Sequence, residues 1–446
     1  MKFSRRSFAV LILFGLIGQI AWSVENMFFN LFIFDTMSTA DTLSAITVMV
    51  QASGVVATLV TLIAGTLSDK IGNRKRFISI GYLIWGFTVA VFGFISPGAV
   101  ESIFKVEYES AVKIALITAV AFDCIMTFFG SAANDAAFNA WVTDNTTVHN
   151  RGRVESIISI LPLIAMLIVT GGFGILVNLL SYSLVFFILG IVISGCGVIG
   201  IFLIRDSERL EKNGGFRDIL YGFKPSSIIS NKPFYINLII VCIYGIACQI
   251  FMPYMVIYMK SYLRFSELEY SLIFGAVILV GALINLLLGR VADRIKKSHA
   301  MYIAAGAFAL GLLLMYFSKG MSPMANRITF GISGLIMITG YIFISALTGA
   351  TARDYTPDGA AGKLQGVRMI FSVLIPMLAG PAIGNAINKT LNIPLENAGA
   401  DAMTTSYVPA PQIFLAASLS AILIFAMIPI LAHSINKHNS LKETNI

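Results

Sequence analysis

The sequence predicts an all-α membrane protein: twelve transmembrane helices in two six-helix, pseudo-symmetric bundles. Three observations carry that expectation. The 446-residue chain is 57% hydrophobic and 12% charged with a mean hydropathy of +0.84, far from the balance of a soluble globular domain. Apolar runs near 8–35, 42–67, 77–96, 111–142, 154–178, 183–204, 233–259, 267–289, 300–318, 328–352, 364–388 and 411–433 each approach or exceed the roughly 20 residues that cross a bilayer. A charged turn after the second run returns after the eighth, so the second half echoes the first.

That turn runs Gly65-Thr66-Leu67-Ser68-Asp69-Lys70-Ile71-Gly72-Asn73-Arg74-Lys75-Arg76, and so many charges between two apolar runs fit only at a membrane surface. Its shorter copy is Gly289-Arg290-Val291-Ala292-Asp293-Arg294-Ile295-Lys296-Lys297. A second echo has the same order: Asp144 followed by Arg151-Gly152-Arg153, then Asp354 followed by Ala361-Gly362-Lys363. Between the halves, residues 206–232 form the only long internal polar stretch, rich in charge and carrying Gly214-Gly215. The expected organisation is therefore a bundle over 1–205, a cytoplasmic linker over 206–232, and a second bundle over 233–446 with a short cytoplasmic tail.

Gly-x-x-x-Asp-Arg/Lys-x-Gly followed by basic residues, between a second and third apolar segment, resembles the signature loop of the major facilitator superfamily. Gly65, Asp69, Lys70, Gly72 and Arg74 fit the pattern, while Asn73 stands where that family usually carries Arg or Lys. The resemblance implies two six-helix halves around a central cavity. It also implies that Asp69 docks on the N-terminus of the eleventh helix and holds a cytoplasmic gate shut, a favourable position for a carboxylate. The gating set expected on this basis is Gly65, Asp69, Gly72, Arg74, Asp293, Arg294, Arg151, Arg153, Lys363 and Arg368. The plainer alternative for these charges is a solvated surface loop that fixes topology.

Charge placement gives that topology. With the N-terminus in the cytoplasm, most of the 31 Lys and Arg lie inside, leaving only Lys105, Lys113, Lys260, Arg264, Lys319, Arg327 and Lys389 outside. The positive-inside rule then puts both termini in the cytoplasm of a multi-pass protein of the plasma membrane. The net charge of +8 is thus a topology signal and not a nucleic-acid footprint. The first apolar run follows Lys2, Arg5 and Arg6 as a signal peptide would, but it is too long and lacks a small-residue cleavage site, so it is expected as helix 1.

Cys124, Cys196, Cys242 and Cys248 fall inside expected spans without metal-type spacing and read as packing residues. His149, His299, His433 and His438 lie in loops or at helix ends, and no phosphate loop or nucleophile–base pair is present. No enzyme activity, cofactor or metal site is expected.

The polar residues inside the spans carry the function. In helix 1, Gln19, Trp22, Glu25, Asn26 and Asn30 interrupt an apolar segment, with Trp22, Glu25, Asn26 and Phe29 on one face. A carboxylate there costs at least a few kcal/mol unless it faces protein or water; a packing network around a protonated Glu25 is the alternative to a cavity. Helix 4 carries Asp123, Asn134, Asp135 and Asn139 ahead of Trp141, with Asp123 about 18 Å from Asp135 along the axis. Depth from the cytoplasmic ends sorts these into two layers: Gln19, Trp22, Asn134, Asp135 and Asn139 below, Glu25, Asn26 and Asp123 above. The six spans of the second half are expected to hold no acid, only neutral groups such as Asn237, Tyr244, Gln249, Asn285 and Tyr341, which suit a hydroxyl-rich or amphipathic ligand. Pro162 and Gly171-Gly172-Phe173-Gly174 in helix 5, answered by Pro376 and Gly380-Pro381 in helix 11, fit halves that rock, or packing alone.

Within the superfamily, Asn134-Asp135-Ala136-Ala137-Phe138-Asn139-Ala140-Trp141 resembles the helix-4 region of the glycoside-pentoside-hexuronide cation symporters, where an Asp precedes Pro-Phe/Tyr-x-x-Leu-x-Pro. Asp135 and Phe138 match; Ala137 and Trp141 depart. The resemblance implies that Asp135 binds sugar hydroxyls near a cation site. Those relatives carry an acidic pair for sodium in helix 2, where this chain has Ser53 and Ala57, so a proton is the expected coupling ion.

The expected function is therefore a secondary transporter working by alternating access, importing a sugar or related small solute with a proton or other monovalent cation, as a monomer in the bilayer. Gln19, Trp22, Asn134, Asp135, Asn139, Tyr244, Gln249 and Tyr341 are the expected substrate contacts, and Glu25, Asp123 and Asp135 the cation-coupling groups. Alternatives are an exporter of amphipathic compounds or a lysolipid carrier, suggested by 33 Phe and 18 Met, and a non-transporting membrane sensor.

Overall fold

A computed structural model describes residues 4–39, 41–146, 148–207, 220–292, 295–318, 322–356, 361–395 and 407–444. Among them, twelve helices are long and apolar enough to cross a membrane. They are α1 (Arg5–Thr36), α2 (Thr42–Ser68), α3 (Arg74–Phe92), α4 (Tyr108–Asn145), α5 (Ile160–Leu180), α6 (Tyr182–Leu203), α7 (Lys232–Tyr262), α8 (Glu267–Leu288), α9 (Lys297–Phe317), α10 (Pro323–Asp354), α11 (Gly366–Leu391) and α12 (Gln412–Ser440). Each matches one expected run. Outward faces carry residues such as Phe87, Ile117 and Phe202, 65%, 70% and 75% exposed; in water they would be a liability, but acyl chains are as apolar as the side chains.

Helix ends follow local chemistry. Ser4 caps α1 through the amide of Ser7 at 3.0 Å, and Asn73 caps α3 through the amide of Arg76 at 3.0 Å. The helix begun in α2 stops at Gly72, whose φ of 67° is left-handed and whose amide bonds the Ser68 carbonyl.

The chain divides into two compact units. One comprises Met1–Phe216, Ser266–Leu272 and Pro394–Tyr407; the other Arg217–Phe265, Ile273–Ile393 and Val408–Ile446. Helix pairings repeat: α1 packs on α5 as α7 packs on α11, α3 on α6 as α9 on α12, and α3 on α4 as α9 on α10. Glycines permit the tightest of these contacts. A Cβ on Gly197 would lie 2.5 Å from the Leu83 nitrogen, and one on Gly311 would lie 2.5 Å from the Met337 Cα, so backbones touch in α3–α6 and α9–α10.

One expectation needs correction. The spans of the second half do hold acids at their ends, since Glu267 and Glu269 occupy the first turn of α8 and Asp354 the last residue of α10; helix termini at the interface tolerate charges that the interior does not. The expected linker carries some helix of its own. Its last part forms a short turn of helix at Leu220–Phe223 and a helix at Pro225–Ser230, and Tyr235 donates to the Gly222 carbonyl at 2.6 Å. Tyr235 itself sits in an apolar cluster with Phe234, Leu238, Ala352, Leu364 and Val367.

Candidate functional site

The site in the first unit is built where helices 1 and 4 depart from α-geometry. α1 passes into a π turn at Glu25–Phe29 and α4 at Ser131–Phe138. Such turns break the regular backbone ladder, and the asparagines beside them serve the backbone there. Asn26 Nδ2 donates to the Trp22 carbonyl at 2.8 Å, Asn30 Nδ2 to the Asn26 carbonyl at 3.0 Å, and Asn139 Nδ2 to the Asp135 carbonyl at 3.0 Å. Asn139 belongs to the expected substrate contacts; its side chain is exposed while its amide is anchored.

Of the three membrane-embedded acids, Glu25 neighbours both others. Glu25 is 8% exposed and accepts a hydrogen bond from Thr127 Oγ1 at 3.0 Å on one oxygen, while its Oε2 has no partner. Asp123 is 1% exposed, faces the Ser53 hydroxyl of α2, and leaves Oδ1 without a partner. Glu25 lies close enough to both Asp123 and Asp135 for their charges to interact. Among the described residues, none of the three forms an ion pair.

Asp135 is half-buried. Asn134 Nδ2 approaches its Oδ1 at 3.3 Å, and Trp22 Nε1 and Ser131 Oγ face the carboxyl without completing a hydrogen bond of normal geometry. Trp22 packs on Trp85 at 5.1 Å between ring centroids, and Gly130 supplies the room for both indoles. Gln19 and Trp22 are half-buried, so with Asp135 and Asn139 they form the more accessible layer; Glu25 and Asp123 form the buried one. Asn134, expected among the substrate contacts, is 3% exposed with its amide engaged by Tyr82 and Asp135.

In the second unit, α7 and α10 bring Tyr244 and Tyr341 together edge to face, 5.8 Å apart, with Cys248 beside both rings. Tyr244 is 8% exposed and faces Ser345 and Thr348; Gln249 is half-buried, its backbone close against Gly380 of α11. α7 also carries a π turn, at its last residues Tyr258–Tyr262.

Of the expected gating residues, Arg74 makes the most contacts among the described residues. Its side chain is 5% exposed, lies 3.0 Å from Asp144 Oδ2 and donates to Ser68 Oγ at 2.5 Å. In the echoed turn of the second unit, Lys297, one residue before the position aligned with Arg74, pairs with Asp354 at 2.9 Å. Gly65 lies within α2 with only Ala136 near its missing Cβ, at 4.0 Å, and Arg368 is exposed. Asp293 and Arg294, and the side chains of Asp69, Arg151, Arg153 and Lys363, lie outside the described residues.

Residues 8–381 match the family model of the Major Facilitator Superfamily. The chain belongs to the major facilitator superfamily. No curated protein matches it by sequence. Solved structures of superfamily shape resemble it throughout. The nucleoside transporter NupG matches at 14% identity over 96% of this chain and 99% of that one, with a TM-score of 0.64. A bacterial homolog of the human lysosomal transporter Spinster matches at 13% over 98% and 99%, TM-score 0.67. A bacterial homologue of the iron transporter ferroportin matches at 14% over 95% and 98%, TM-score 0.61. At these identities the likeness is one of fold.

For this superfamily member, sequence reasoning found the acids but missed their partners. Tyr82, Trp85, Thr127 and Ser131 were legible as spacings: Asp123, Thr127, Ser131 and Asp135 recur every four residues along α4, and Tyr82 and Trp85 are three apart on α3. A hydroxyl or ring inside an apolar run reads as packing until the stripe it belongs to is recognised.

Proposed function

We propose that this protein is a secondary active transporter working by alternating access, importing a sugar or related small polar solute together with a proton across the plasma membrane, with both termini cytoplasmic. The observation that carries the reading is the set of three acids, Glu25, Asp123 and Asp135, gathered in one unit of the membrane region without a cation partner among the described residues. A buried carboxylate with an unmatched oxygen is costly; the same group holding a proton is not. Proton uptake and release at such a site is the chemistry a coupled transporter needs.

Gln19, Trp22, Asp135 and Asn139 offer amides, an indole and a carboxyl to a hydroxylated ligand, and Tyr244, Gln249 and Tyr341 are the neutral candidates in the second half. NupG and its nucleosides make the ribose–base class part of the same question, since a nucleoside combines ring hydroxyls with an aromatic face. The amphipathic-cargo alternative leaned on the abundance of Phe. Much of that Phe goes into core packing: Phe29 stacks on Phe92 at 4.2 Å, Phe28 meets Phe173 at 4.5 Å, and Phe186 lies edge-on to Phe29 at 4.9 Å.

The test is uptake into cells at several external pH values with a panel of sugars and nucleosides against a panel of lysolipids. Acid-stimulated uptake of a hydroxylated solute that is lost in Asp135→Asn supports the reading. Unchanged pH-driven uptake in that variant removes Asp135 from the mechanism.

A further inference from the structure

Three short polar contacts run in series from Asp135 into the core: Asp135 Oδ1 to Asn134 Nδ2 at 3.3 Å, Asn134 Oδ1 to Tyr82 Oη at 2.8 Å, and Tyr82 Oη to the Phe14 carbonyl at 2.7 Å. Tyr82 and Phe14 are 0% exposed and Asn134 is 3% exposed, so bulk water does not serve them.

Each contact needs one hydrogen between its two heavy atoms. With Asp135 ionised, the chain of contacts has two: one on the Asn134 amide and one on the Tyr82 hydroxyl. If the amide donates to Asp135, the tyrosine hydrogen can serve either Asn134 or Phe14, and the other pair of oxygens stands below 3 Å with nothing between them. With Asp135 protonated and the Asn134 amide turned by half a revolution, three hydrogens serve three contacts. Asp135 donates to the amide oxygen, the amide nitrogen to Tyr82 Oη, and Tyr82 to the Phe14 carbonyl. The two orientations of an Asn amide have nearly the same shape, so the turn needs no backbone movement.

We propose that Asn134 and Tyr82 form a protonation sensor for Asp135, in which the direction of the Asn134 amide reports, and helps to set, whether Asp135 carries a proton. The inference rests on the reading of Asp135 as a proton-binding group and adds two positioning residues to it. No proton travels along the series: the one taken from solvent stays on Asp135. Because the series ends on a carbonyl of α1 and passes through a side chain of α3, the state of the α4 acid is felt by three helices.

Gly18 of α1 makes the arrangement possible. A Cβ there would lie 2.5 Å from Asn134 Oδ1 and 2.6 Å from Tyr82 Oη, inside the contact at the middle of the series. The other groups facing it are Glu25 and Trp22 from α1, Ser131 on α4 itself, and Cys196 of α6 behind Tyr82; Asp123 faces Glu25. Against this part of α4, α2 presents Val56, Val60 and Ala64, which carry no charge.

The experiment is pH-difference infrared spectroscopy on the purified full chain in phosphatidylethanolamine–phosphatidylglycerol vesicles, without substrate. The protonated-carboxyl band of Asp135 is identified by its loss in Asp135→Asn and then titrated. The inference expects a tyrosine ring band and an asparagine amide band to change with the same midpoint. In Tyr82→Phe the tyrosine change disappears and the Asp135 midpoint moves down by about half a pH unit or more, the equivalent of one hydrogen bond. Gly18→Ala, which keeps every residue of the series but forces Asn134 and Tyr82 out of contact, moves the midpoint the same way. An Asp135 band that titrates at the wild-type midpoint in either variant overturns the sensor while leaving proton binding intact. Absence of any Asp135 band that titrates overturns the proton-binding reading itself, and the sensor with it.

Discussion

Thr127 of α4 donates its hydroxyl to Glu25 of α1 at 3.0 Å, the only hydrogen bond that the buried Glu25 carboxyl makes among the described residues. The contact joins the two helices that carry all three embedded acids. Thr127→Val keeps the shape and removes the donor, leaving both Glu25 oxygens unmatched. The expected cost is about 1–3 kcal/mol, read as a lower thermal midpoint of the purified protein in detergent. Thr127→Ser should recover most of it, and a Val variant that melts with wild type contradicts the role given to this contact.

The two ion pairs should behave differently because their burial differs. Arg74 and Asp144 side chains are 5% and 22% exposed, Lys297 and Asp354 35% and 61%. Arg74→Ala removes the guanidinium from a mostly buried carboxylate, so a loss of about 3 kcal/mol is expected. Lys297→Ala should cost under about 1 kcal/mol. Equal shifts in thermal midpoint for the two variants would show that burial is not what separates them.

Two glycines of the same turn should respond with opposite signs. Gly72 has a φ of 67°, so Gly72→Ala should destabilise by about 1–2 kcal/mol. Gly65 sits in helix, and a methyl carbon placed there would have its nearest neighbour 4.0 Å away, so Gly65→Ala should be neutral or raise stability by up to about 1 kcal/mol. Guanidinium or thermal melts of both variants decide the point; a larger loss in Gly65→Ala than in Gly72→Ala contradicts it.

Much of the architecture was legible because membrane insertion imposes a long apolar run on every span, and a run of that length survives uncertainty at its ends. The ends themselves were less legible. Asp354 falls inside its helix, past the expected end, since a terminal turn can carry charge into the interface, and the linker helix at Pro225–Ser230 has no periodic signal of its own. At the site, Glu25, Asp123 and Asp135 announce themselves because an acid in an apolar run has no ordinary explanation. Tyr82, Thr127 and Gly18 do not, because each is common in packed membrane helices and gains its meaning only from what stands opposite. Asn134 shows the limit most clearly: its polarity was plain in the sequence, but its burial against Tyr82 was not.

Trp22 offers a separate handle on the cargo. Its indole is half-buried against Trp85 beside Asp135, so Trp22→Phe, which removes Nε1 and keeps an aromatic face, should weaken binding of a transported sugar or nucleoside by up to roughly tenfold, the worth of one neutral hydrogen bond. Tryptophan-fluorescence titration would be altered by the substitution itself, so equilibrium binding of radiolabelled solute is the suitable measurement. An unchanged Kd would move the cargo away from this indole.

The central claim is that cargo and proton move together through a site that needs Asp135. It is tested most directly by reconstituting the full chain in proteoliposomes with a pH-sensitive dye inside and adding sugars and nucleosides one at a time. A transported solute is expected to acidify the lumen, and Asp135→Asn to abolish this acidification. Solute entry without any change in lumenal pH, or acidification that persists in Asp135→Asn, contradicts the claim.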